Sequence, residues 1–138
     1  MKTAIFIFLA GLYFFSVPVS EKKIVAELAG IEYYSKGICK DTSFVYVRVL
    51  YKVRGEKPDC LKMKHNFYNG ITSTVPVTET DKKGNFVYGF CLKNTEIKEF
   101  TTVFISSEGA VSNKLFVKVD VPNADIISGT APVTFKTK

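Results

Sequence analysis

The chain has 138 residues, a length that predicts about one domain, and carries 19 Lys and Arg against 13 Asp and Glu, a net charge of +6. Without the first 20 residues it keeps 118 residues and a net charge of +5, and Val, Ile, Thr, Phe and Tyr make up 47 of those residues, an enrichment that favours pleated sheet over helix. This disfavours a membrane channel, a coiled coil, a disordered tail and a multidomain enzyme, and leaves a chain able to bury roughly two-thirds of its unfolded surface around one core.

Residues 1–20 read as a signal peptide. Met1-Lys2 is a short basic start, and Thr3 to Phe15 is an apolar run. That run is shorter than the roughly 20 residues a helix needs to span a bilayer. Ser16-Val17-Pro18-Val19-Ser20 breaks it with small residues just before Glu21-Lys22-Lys23, so cleavage is expected after Ser20. An uncleaved signal anchor is the alternative. No later stretch is apolar enough to span a membrane, and the C-terminus from Gly129 to Lys138 is polar and basic, without a lipid-anchor signal. The expectation is a secreted, extracellular protein with one domain over residues 21–138.

The mature chain reads as strand-sized apolar runs between turns. Lys23 to Tyr34 is the first extended segment. Ser43 to Arg54 alternates clearly, with Val45, Val47, Val49, Tyr51 and Val53 on one face and Phe44, Tyr46, Arg48, Leu50 and Lys52 on the other. Gly55 to Asp59 is a turn. Cys60 to Tyr68 places Leu61, Met63, His65 and Phe67 inward and Lys62, Lys64 and Asn66 outward. Asn69-Gly70 has the composition of a two-residue hairpin turn. Ile71 to Thr80 contains Pro76, which cannot donate to a ladder and puts the segment at a sheet edge. After a turn at Asp81 to Gly84, Phe86, Tyr88, Phe90 and Leu92 form one apolar face. Glu99 to Ser106 is apolar on both sides and reads as a central strand. Asn113 to Val121 faces in with Leu115, Val117, Val119 and Val121, and residues 121–138 form either a loose tail or an extra strand at Val133 to Lys136. About seven strands at 8–12-residue spacing mean a sandwich or small barrel.

The stretch from Phe104 through Gly109, Ser112-Asn113 and on to Val119 resembles the final hairpin of immunoglobulin-like and fibronectin-III-like domains. Asp81-Lys82-Lys83-Gly84-Asn85-Phe86 is similar to the entry to their fifth strand. The resemblance is best over residues 81–121. It implies an all-β, immunoglobulin-like antiparallel β-sandwich. The chain lacks Trp and has Val rather than Cys in its second and sixth strands, so the resemblance stops at architecture. Starch- and glycan-binding modules of similar plan grip sugar with Trp and Tyr platforms, which the missing Trp weakens. Fold alone does not assign function.

Three cysteines in an exported chain suggest one disulfide and one odd thiol. A twelve-residue strand from Ser43 to Arg54 spans about 40 Å at roughly 3.3 Å per residue, which sets Cys39 and Cys60 at opposite ends. In the immunoglobulin-like plan the fifth strand runs antiparallel to the second and returns Cys91 toward Cys39. The resemblance thus implies a Cys39–Cys91 bridge, with Cys60 free or joining two chains.

No metal cluster, cofactor motif or nucleic-acid signal is evident, and the positive charge is diffuse. His65, the only histidine, reads as a buried structural residue rather than a general base, and no nucleophile elbow or paired carboxylates are present, so no enzyme is expected. In the immunoglobulin-like plan the third, sixth and seventh strands share a sheet. Its outward residues would then include Lys62, Lys64, Asn66 and Tyr68, Phe100 and Phe104, and Phe116 and Lys118. Such a lysine-rimmed aromatic face marks an interaction site, unless the tail beyond Val121 covers it. The expected function is a non-catalytic binding module for a partner protein or for a polysaccharide or anionic surface. The alternatives are a self-associating structural protein, dimerising through this face or Cys60, and a glycan-binding module.

Overall fold

A computed structural model describes residues 24–36, 38–55 and 61–136. The expected signal peptide and Cys60 lie outside the described residues. Ten strands are present among them: β1 (Val25–Lys36), β2 (Phe44–Arg54), β3 (Leu61–Phe67), β4 (Thr72–Pro76), β5 (Glu79–Thr80), β6 (Phe86–Lys93), β7 (Ile97–Ser106), β8 (Leu115–Asp120), β9 (Ile126–Thr130) and β10 (Phe135–Lys136). They form a six-stranded sheet in the order β10-β5-β6-β2-β1-β9 and a four-stranded sheet in the order β4-β3-β7-β8. The protein is all-β, a sandwich-like pair of sheets. No helix among the described residues is long and apolar enough to cross a membrane.

Alternation in the sequence builds the core between the sheets. From β2, Val45, Val47, Val49 and Tyr51 are buried; they meet Leu61 and Met63 of β3, Phe86 and Leu92 of β6, and Val117 and Val119 of β8. The expected third, sixth and seventh segments are β3, β7 and β8, which are neighbours in one sheet. Three hairpin turns close alike. Gly70, Gly84 and Gly109 have φ of 88°, 85° and 90°, and each donates its amide to the carbonyl three residues earlier, on Phe67, Asp81 and Ser106. Only glycine takes that conformation without strain. Because Phe67 also donates to Ile71, the loop at Asn69-Gly70 has three residues, not the expected two. The glycine fills the left-handed position that follows a type I turn.

The expected single strand from Ile71 to Thr80 is two strands in different sheets. Pro76 sits on edge strand β4 opposite Lys62; Val77 follows, buried, and the chain then crosses to the six-stranded sheet as β5. Proline ends the ladder, and the valine anchors the crossing in the core.

The C-terminal part is neither loose nor a single strand. After a turn at Val121–Asn123, β9 runs parallel to β1, with Tyr33 opposite Ile126, and β10 pairs with β5 at the other edge of the same sheet. The connection between them passes over the outer face of the six-stranded sheet, where Pro132 lies beside Gly30, Arg48 and Leu50. Thr134 Oγ1 ties it to Glu79 Oε2 at 2.7 Å. The tail thus covers the sheet opposite the candidate binding face. Arg48 and Leu50, on the side of β2 expected to be wet, are buried.

Cys39 and Cys91 form a disulfide with Cα atoms 5.9 Å apart. Cys91 lies opposite Tyr46 in the β2–β6 ladder, and the bridge ties the segment before β2 to β6.

Candidate functional site

The outer face of the four-stranded sheet carries most, but not all, of the residues expected on it. The ladder sets the rows. Lys62 of β3 lies opposite Ile105, Lys64 opposite Val103 and Asn66 opposite Thr101. Across the next pair, Thr101 lies opposite Phe116 and Glu99 opposite Lys118. Directly opposed residues share a face, so Lys62, Lys64, Asn66, Phe116 and Lys118 all project outward with Glu99, Thr101, Val103 and Ile105. Phe116 is 70% exposed. Tyr68 sits beyond the end of β3, in the turn, and is exposed.

Phe100 and Phe104 are a correction. Both are 0% exposed and lie in the core, opposite Phe67 and Met63. Phe104 packs edge-on against Tyr51, with ring centroids 5.2 Å apart, and Phe100 lies 5.2 Å from Phe67. Both faces of β7 are apolar, so alternation alone could not orient it. Two phenylalanine rings have more apolar area to bury than Val103 and Ile105, and they take the core. The face therefore bears one aromatic ring among aliphatic side chains. Sequence reasoning missed this aliphatic set: Ile97, Val103, Ile105, and Val111, which bridges to Ile105. Ile97 and Val111 are exposed. The parity of β8, where Val117 and Val119 must face in, carried across the ladder, would have found them.

Inside the core a short polar chain takes the one histidine out of reach of solvent. Tyr51 Oη and His65 Nδ1 both meet Thr102 Oγ1, at 2.8 and 2.9 Å, and the imidazole stacks on Tyr88 with centroids 4.0 Å apart. His65 is fully buried, and burial lowers its pKa to about 4. Burial also raises the Tyr51 phenol. The neutral imidazole bonds Thr102 through Nδ1, and its buried Nε2 has no hydrogen-bond partner among the described residues. Among the described residues no group of three His, Cys, Asp or Glu gathers to hold a metal ion.

A second feature lies on the opposite sheet. Arg48 is 1% exposed, and its Nε and Nη1 have no hydrogen-bond partner among the described residues. Comparison with known proteins finds no matching family model, curated protein or solved structure.

Proposed function

We propose that the chain is an exported, non-catalytic binding module of immunoglobulin-like plan whose outer four-stranded sheet docks an acidic partner protein. The observation that carries this reading is a row of exposed apolar side chains, Ile97, Val111 and Phe116, spread along β7 and β8 and flanked by Lys62, Lys64 and Lys118 on a face that the C-terminal segment leaves open. Hydrophobic anchors within a polar rim suit a protein interface, and lysines favour a partner of opposite charge. A sugar platform needs several exposed rings, and Phe116 is the one ring among the outward residues of this sheet. Export is supported by the apolar segment from Thr3 to Phe15 ahead of small residues and by the disulfide. N-terminal sequencing of secreted material should begin near Glu21.

The face is tested with Phe116→Ser and Lys64→Glu. Both positions project outward, so both variants should keep the thermal midpoint of the parent. Binding to an acidic extracellular protein should weaken with added salt and be lost in each variant. A partner held equally by the parent and both variants would overturn the assignment of this face.

A further inference from the structure

The buried side of β2 holds a cation without a sufficient partner. Arg48 projects from the outer face of the six-stranded sheet into a cavity of about 400 Å³ beneath the C-terminal connection. Its side chain is 2% exposed, and its one ion pair among the described residues, Nη1 to Glu32 Oε1, is long at 3.6 Å. Glu32 Oε1 also accepts from the Tyr34 hydroxyl at 2.9 Å. The Tyr34 ring lies 5.9 Å from the guanidinium carbon. A buried guanidinium with bare N–H groups is costly unless an acceptor satisfies it.

The cavity supplies the rest of an anion site. Lys82 and Lys83 line it and are exposed, whereas Arg48 lies at its buried end. Its second carboxylate, Asp81, is already occupied, accepting from the Lys83 amide at 2.9 Å, the Asn85 amide at 2.8 Å and Asn85 Nδ2 at 3.0 Å. Leu50 and Pro132 add apolar wall. The volume lies within the range of small-molecule sites and far exceeds the roughly 30 Å³ of one water.

We propose that this cavity binds a small organic anion, its carboxylate or phosphate oxygens accepting from the Arg48 guanidinium and its compact apolar body lying against Leu50 and Pro132. Lys82 and Lys83 draw the anion in, and Glu32 competes with it for the guanidinium. The ligand sits under the connection that joins β9 to β10, so its binding also holds that segment against the sheet. The site is on the sheet opposite the protein-docking face and is independent of it.

The test is a nuclear magnetic resonance titration of the oxidised, secreted protein with two probes, sodium benzoate and inorganic phosphate. Saturable shifts of the Arg48 Nε–H signal and of the Gly30, Leu50 and Asn85 amides with benzoate assign a carboxylate ligand. The same shifts with phosphate at lower concentration assign a phosphate ligand. Glu32→Gln, which keeps an acceptor for Tyr34 and removes the competing charge, should tighten binding about tenfold. Arg48→Met should abolish the shifts; if that variant fails to fold, the Arg48 signal in the parent and the Glu32→Gln affinity still decide. An unmoved Arg48 signal, or shifts confined to Lys82 and Lys83, would show a water-filled cavity beside ordinary surface lysines and overturn the proposal.

Discussion

The Asn113 side chain hydrogen-bonds both backbone groups of Ala26: it accepts from the Ala26 amide at 2.9 Å and donates to the Ala26 carbonyl at 2.8 Å. Ala26 belongs to β1 of the six-stranded sheet, and Asn113 leads into β8 of the other. One carboxamide thus stands in for a neighbouring strand and fastens the two sheets together. Ser112 prepares the position. Its hydroxyl accepts from the Phe104 amide and its own amide donates to the Phe104 carbonyl, both at 2.8 Å. The Ser112-Asn113 pair at the entry to β8 therefore has a physical role.

Asn113→Ala should lower the unfolding free energy by about 1–3 kcal/mol, because it leaves the Ala26 groups unpaired in a partly buried place. Asn113→Asp keeps the acceptor but turns a carboxylate oxygen toward the Ala26 carbonyl, and should lose a similar amount. Urea unfolding followed by far-ultraviolet circular dichroism measures both. An unchanged midpoint in either would mean that the clamp contributes nothing.

The buried histidine makes stability depend on pH in a defined window. Folding holds the His65 pKa at about 4, below its ordinary value of 6.5. The folded state therefore binds fewer protons than the unfolded state between those values. Stability should be complete above about pH 6.5 and fall as pH drops toward 4, with a slope of at most about 1.4 kcal/mol per pH unit. Asp81 has a lowered pKa, despite an opposing burial contribution, because Asn85 and Lys83 hydrogen-bond its carboxylate, so its stabilisation is lost at still lower pH. His65→Gln should remove the slope between pH 6.5 and 4.5 and cost about 1–3 kcal/mol at pH 7. Thermal midpoints of parent and variant across that range test both statements.

Reduction offers a third measurement. The Cys39–Cys91 bridge links residues 52 apart in sequence, and the chain-entropy treatment gives a loop of that size about 4 kcal/mol. The paired substitution Cys39→Ser with Cys91→Ser should lower stability by that order. The parent in reductant should approach the same midpoint. Peptide mapping without reductant should recover Cys39 joined to Cys91.

Legibility in the sequence followed local contrast. In β2, β3 and β8 one face is rich in valine, leucine or methionine while the other carries Arg48 and Lys52, Lys62, Lys64 and Asn66, or Lys118 and Asp120, and their inward residues were readable because the two faces differ. β7 offers no such contrast, with Phe100 and Phe104 on one side and Val103 and Ile105 on the other. Its orientation is settled by the ladder to Met63 and Val117, a non-local fact. β9 was missed for a related reason: Ile126 and Ile127 are adjacent, both exposed, and show no period of two. Arg48 was correctly placed on the face away from the core. Its burial arises from tertiary packing on that face, which no local pattern announces. The disulfide was accessible because the antiparallel return of the fifth expected strand carries Cys91 back to Cys39.

The orientation of β7 yields the sharpest contrast between core and face. Phe104 is fully buried against Tyr51 and Phe86, so Phe104→Ala should remove about 3–5 kcal/mol through lost burial and the cavity left behind. Phe116 is on the neighbouring strand with its ring mostly in solvent, and Phe116→Ala should change stability by no more than about 0.5 kcal/mol. Ile105→Ala, half-buried on the outer side of the same strand as Phe104, should fall between the two. The three variants carry similar chemistry and differ in the side of the sheet they probe, so urea midpoints rank them directly. A Phe116→Ala loss equal to that of Phe104→Ala would mean that something covers the outer face. A mild Phe104→Ala with a severe Ile105→Ala would mean that β7 is turned over and the ladder to β3 is shifted by one residue.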